Sequence, residues 1–149
     1  MGQSLAQIYI HLVFGTKGRK DFILPQYEER LHSYMAGIMK NMDSPIIKIN
    51  SVTDHVHILF RLSKNKALSK VLQELKKETS KWMKNVGPAN FTWQIGYGAF
   101  SISSYNLEMV INYIHKQKEH HNQQTFKEEF EEFVEKYDLV DYDSGFFWE

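Results

Sequence analysis

The chain has 149 residues and a mass of 17.6 kDa, with 42% hydrophobic and 24% charged residues, the size and composition of one ordinary folded domain. No apolar run approaches the roughly 20 residues that a membrane-spanning helix needs, and the absence of cysteine excludes disulfides, cysteine-ligated zinc, iron–sulfur clusters and thiol catalysis. The net charge of zero hides two unlike parts: residues 1–126 carry 16 Lys/Arg against 9 Asp/Glu, a balance of +7, and residues 127–149 carry 2 against 9, a balance of −7. A basic body permits nucleic acid as a partner, with the acidic tail of the same domain as a solvated appendage or an intramolecular competitor. No charged and apolar leader opens the chain, so the expected location is the cytoplasm.

Gln7–Gly15 is β-branched and aromatic and breaks at the basic Thr16-Lys17-Gly18-Arg19-Lys20, which predicts a strand followed by a loop. Apolar residues from Leu24 to Met42 recur at spacings of three and four, with Pro25 suited to a first helical turn. Asp43-Ser44-Pro45 then turns the chain into two strands, Ile46–Val52 and His55–Leu62, joined at Thr53-Asp54. A long amphipathic helix begins at Leu68 and stops at Gly87-Pro88. Phe91–Ile102 is aromatic and strand-like, with Gly96 and Gly98 marking a bulge or close approach. Ser103 or Ser104 caps a third helix running to about Gln123, and a charged helix follows from Phe126 to Tyr137. The order β-α-β-β-α-β plus C-terminal helices predicts an α+β, ferredoxin-like fold with an antiparallel sheet. That fold hosts many functions, so function has to be read from a site.

Three groups of residues carry candidate chemistry. Alternate residues of a strand share a face, so His55 and His57 point the same way while Val56 and Ile58 point the other. Two imidazoles so placed can bind one metal ion, or can be the polar face of a half-buried strand. On the third helix, Tyr113, Gln117 and His120 fall on one flank of the stripe formed by Leu107, Val110, Ile111 and Ile114, a hydroxyl and an amide one turn apart. A Tyr at the edge of such a stripe can equally be core packing. Lys70, Lys77, Lys81 and Lys84 line the opposite face of the second helix, and Lys17, Arg19 and Lys20 form a second basic cluster. Either could track phosphates or be a solvated face.

Together these residues resemble the single-tyrosine HUH transposases of the small IS-two-hundred-type insertion sequences. The likeness covers nearly the whole chain: HLVFGTKGRK, DHVHILF, the lysine helix, FTWQIGYGAFSIS and NYIHKQ. It implies a bacterial or archaeal DNA transposase that cuts and rejoins single-stranded DNA beside hairpins. Carried over, Tyr113 is the nucleophile that forms a 5′-phosphotyrosine, and His55, His57 and Gln117 hold Mg²⁺ or Mn²⁺. It also implies a homodimer whose active sites are shared between subunits. His120 or His121 could replace or supplement Gln117 as a ligand. The rival expectations are a domesticated relative that cuts repeated hairpins, a single-stranded nucleic-acid-binding module without catalysis, and a metallohydrolase using a His-bound water.

Overall fold

The computed structural model of the chain describes residues 2–149. Strands β1 (Tyr9–Gly15), β2 (Ile46–Ser51), β3 (His55–Arg61) and β4 (Gly98–Ile102) form one antiparallel sheet in the order β2-β3-β1-β4. With α1 (Pro25–Asn41) before β2 and α2 (Leu68–Val86) before β4, the fold is the expected ferredoxin-like one. Alternation along the two central strands sets its two faces. Ile10, Leu12 and Phe14 of β1 and Val56, Ile58 and Phe60 of β3 pack against Leu31, Met35 and Met39 of α1 and Val71, Leu72, Leu75 and Met83 of α2. Each such burial contributes roughly 1.5–3 kcal/mol, which makes this layer the main hydrophobic core.

The opposite face presents His11, Val13, His55, His57, Leu59 and Phe100, and it too is covered. Val110 and Ile114 of α3 (Leu107–His115) pack on Leu59, while Phe126, Phe130 and Phe133 of α5 (Phe126–Lys136) pack on Val13 and Phe100. The rings lie this close because two sheet positions have no side chain. A Cβ on Gly15 would come within 2.5 Å of the Phe126 ring, and one on Gly98 within 2.6 Å of Phe130. The acidic segment 127–149 is thus a packed layer of the molecule rather than a solvated appendage, and it ends in α6 (Ser144–Phe147), whose Phe147 stacks on Phe130 at 4.2 Å.

Two expected elements differ. Of the aromatic run Phe91–Ile102, only Gly98–Ile102 is a strand. Lys76 Nζ donates to the carbonyls of Gln94, Ile95 and Gly96 at 2.9, 3.1 and 3.1 Å, taking acceptors that a ladder would use. Trp93 is instead buried, its Nε1 donating to Thr79 Oγ1 at 2.9 Å. The expected third helix is in fact three pieces. Ser103 caps a short 3-10 turn, Ser104–Asn106; α3 ends at His115; and α4 (Gln117–Gln123) starts after Lys116. Asn50 Nδ2 on β2 donates to the carbonyls of Ile114 and His115 at 2.9 and 3.1 Å, satisfying acceptors that the break frees.

Candidate active site

The geometry begins with β3. His55 and His57 share a face of the central sheet and are excluded from solvent, at 1% and 0% exposure. One carboxylate reaches both: Glu129 Oε1 lies 3.0 Å from His55 Nε2 and 3.1 Å from His57 Nε2. Its other oxygen, Oε2, accepts from the Tyr113 hydroxyl and from Gln117 Nε2, the latter at 3.2 Å. Gln117, the first residue of α4, is buried beside Tyr113, just past the break at Lys116. Glu129 is fixed by the start of its own helix, where Thr125 Oγ1 accepts from Glu128 N and Glu128 Oε1 accepts from Thr125 N, a capping box. Phe126 and Phe130 flank it, and Phe126 stacks on the His55 ring at 4.1 Å.

The outer nitrogens of both imidazoles are also held. Nδ1 of His55 donates to Asp54 Oδ1 at 2.7 Å, and Nδ1 of His57 shares a hydrogen bond with His11 Nε2 at 2.9 Å. A ring oriented through its far nitrogen by a carboxylate is the arrangement that ligating histidines favour. Burial disfavours the charged form of His55, but hydrogen bonds to Asp54 and Glu129 outweigh it and raise its pKa. For His57 burial wins over Glu129, and its pKa is lowered; His11, buried beside His57, is lowered further. Burial alone would raise the Glu129 carboxyl, yet His57 and His55 hold it well below the usual carboxylate range. Burial and the charge of Glu129 push the Tyr113 phenol far above its ordinary value near 10. Tyr113 as it stands donates its hydroxyl hydrogen to Glu129, and both burial and that carboxylate oppose its ionisation.

His55, His57 and Glu129 present ligand atoms within 4.8 Å of one another and could hold a metal ion; Asp54, His55 and His121 form a second such group. The donor chemistry fits. Gln117 Oε1 is buried without a hydrogen-bond partner, as an acceptor awaiting a cation would be.

A family model described as IS200-like transposase matches residues 4–117. The chain belongs to the IS200-like transposase family. No curated protein sequence matches it. Among solved structures it is similar to a protein of Deinococcus radiodurans R1 provisionally described as a transposase, at 18% identity and a TM-score of 0.64, covering 78% of this chain and 96% of that one. It is also similar to a REP-associated tyrosine transposase bound to a REP hairpin, at 16% identity and a TM-score of 0.60, covering 81% of this chain and 74% of that one. At these identities the likeness is one of fold, and it agrees with the sheet order described above.

Within this IS200-like transposase, the four residues carried over from the resemblance converge, and they do so inside one chain. The expectation of a site shared between subunits is therefore not needed to bring Tyr113 to His55 and His57: the chain's own α3 does so. His120 stacks on the Tyr113 ring at 4.5 Å, and His121 lies 4.0 Å from Asp54, so neither joins the group formed with both strand histidines. Of the basic residues, Lys17, Arg19 and Lys20 are exposed just beyond Gly15, the residue paired with His55, and so border the site. Lys70, Lys77, Lys81 and Lys84 are exposed on α2, which lies on the other side of the sheet from Tyr113. Two site residues had no place in the sequence reading, Glu129 and His11, and Glu129 lies beyond the part of the chain that the family model matches. No helix among the described residues is long and apolar enough to cross a membrane.

Proposed function

We propose that the chain is a metal-dependent transposase that cuts and rejoins single-stranded DNA next to hairpins, with Tyr113 as nucleophile and His55, His57 and Gln117 as metal ligands. The observation that carries this reading is the convergence of the Tyr113 hydroxyl and both strand histidines on one buried carboxylate, in a member of a transposase family. A divalent ion, Mg²⁺ or Mn²⁺, would supply polarisation of the scissile phosphodiester and offset negative charge beside the phenol. The Tyr113 oxygen bonds to phosphorus as the bond from phosphorus to the 3′-oxygen breaks, and the proton that Tyr113 loses is matched by the one the 3′-oxygen gains, leaving a 5′-phosphotyrosine and a free 3′-OH. One phosphodiester replaces another, so rejoining needs no nucleotide, and the sequence has no P-loop.

The covered second face of the sheet supports this reading over a non-catalytic module, which would need the aromatic residues of that face exposed; Phe100 is buried beneath Phe133 and Tyr137. Hairpins as substrate are supported by the similar structure described as bound to a REP hairpin. The homodimer of the original expectation is compatible with a site that each chain completes by itself, and catalysis in cis is the form the geometry supports. The expected location remains the bacterial or archaeal cytoplasm.

The test is incubation with labelled single-stranded DNA from the flanks of the gene, with Mn²⁺, followed by denaturing electrophoresis. Wild type forms a covalent protein–DNA adduct; Tyr113→Phe forms none while binding hairpin and metal as before. An adduct from Tyr113→Phe would move the nucleophile elsewhere, and cleavage with free ends and no adduct would indicate a metallohydrolase. Cutting of dispersed repeat hairpins, with none of the gene's own flanks, would favour the domesticated relative.

A further inference from the structure

We propose that Glu129 is itself a metal ligand, holding a divalent cation through Oε1 together with His55 and His57 while Oε2 holds the Tyr113 hydroxyl. This rests on the reading that the two histidines bind a metal. The hydrogen-bond bookkeeping leads to it. The Asp54 carboxylate can only accept, so the hydrogen of His55 sits on Nδ1, and in the neutral ring Nε2 turns a lone pair toward Glu129 Oε1, 3.0 Å away. Two lone pairs face one another stably only when a cation, a second proton or a metal ion, lies between them.

The same oxygen is 3.1 Å from His57 Nε2. About 3 Å is also the separation of neighbouring ligands at right angles around an ion with bonds near 2.1 Å. The carboxylates of Asp54 and Glu129 form no ion pair with any Lys or Arg among the described residues, so the balancing positive charge has to come from imidazolium or from a bound ion. Gln117 supplies the independent pointer. It is fully buried, its amide nitrogen is already committed to Glu129 Oε2, and its Oε1 has no donor to meet. Two imidazoles, a carboxylate and an amide oxygen form a donor set better suited to Mn²⁺ than to Mg²⁺, with coordination positions left for phosphate oxygens. The ligand comes from α5, so the metal centre extends past the residues that the family model matches.

The experiment is calorimetric titration of Mn²⁺ into the full chain without DNA, for wild type, Glu129→Gln, Glu129→Ala and His57→Ala. Glu129→Ala is expected to weaken Mn²⁺ binding about tenfold or more, Glu129→Gln to fall between it and wild type, and His57→Ala to lose binding as well. Electron paramagnetic resonance of bound Mn²⁺ in ¹⁷O-water should count one more water in Glu129→Ala, with the imidazole nitrogen couplings retained. Unchanged affinity in Glu129→Ala alongside loss in His57→Ala overturns the role of Glu129 and leaves the histidine site standing; no Mn²⁺ binding by wild type overturns both. Tighter binding or faster adduct formation by Glu129→Ala would make the carboxylate an occupant that the ion displaces, and also overturns the proposal. Should Glu129→Ala fail to fold, the near-isosteric Glu129→Gln carries the same comparison.

Discussion

Gln117 shows how a single residue acquires its place. In sequence it lies one helical turn after Tyr113, and it keeps that neighbourhood although α3 ends at His115 and a new helix starts at Gln117 itself, its amide donating to the same carboxylate as the Tyr113 hydroxyl. As a neutral amide it is a weaker ligand than imidazole. Gln117→Ala is therefore expected to weaken Mn²⁺ binding less than His57→Ala, both measured by calorimetry; an equal or larger loss would make the amide the dominant ligand. His55 and His57 were legible from strand alternation, and Tyr113 and Gln117 from their joint position beside an apolar stripe. Glu129 was not, because an acidic helix reads first as a solvated one. Its signal was nonetheless present: Phe126, Phe130 and Phe133 recur at helical spacing, and Glu129 falls inside that stripe rather than opposite it. His11 was a comparable case, a lone polar residue in an otherwise apolar strand whose pairing with His57 comes from the sheet register.

Elements differ in how much of their geometry is local. α2 was readable from end to end, because its buried Val71, Leu72, Leu75 and Met83 follow the helical period and Gly87 stops it. β4 was not, because the stretch before it bends to serve Lys76 and Thr79, contacts set by a helix 14 to 20 residues away in sequence. The exposed lysines of α2 carry an electrostatic prediction of their own. If Lys70, Lys77, Lys81 and Lys84 contact phosphates, each Lys→Ala lowers the slope of log K against log salt by about 0.7 for single strands or about 0.9 for a hairpin stem. Their position across the sheet from Tyr113 means that a strand reaching both has to pass round a sheet edge. An unchanged slope in the quadruple variant would assign the DNA path to the Lys17–Lys20 side.

For the whole molecule, the arrangement of layers bears on how many chains the proposed chemistry would use. Tyr113, His55, His57, Gln117 and Glu129 come from α3, β3, α4 and α5 of one chain. If each chain completes the proposed site by itself, mixing and re-equilibrating Tyr113→Phe and His57→Ala is expected to give no adduct, because every chain in the mixture would lack one of the proposed groups. Restored adduct formation, in a mixture shown by mass spectrometry to contain heterodimers, would establish sites shared between subunits. The split sheet with its two helices on one face was readable from element order; the closure of the second face was not, since it depends on Gly15 and Gly98 leaving room for rings from the far end of the chain.

Trp148 gives that closure an optical signature. Its ring lies 5.2 Å from Phe126 and 5.8 Å from Phe130, beneath the Arg19 guanidinium at 4.9 Å, and its Nε1 donates to the Tyr142 hydroxyl at 2.9 Å. The other two tryptophans, Trp82 and Trp93, report on the α1–α2 side and the main core. Fluorescence that Trp148→Phe removes therefore follows the C-terminal layer rather than the main core: a red shift on adding DNA would record that cover lifting from the site, and quenching by Mn²⁺ without a shift would record an ion arriving beneath it.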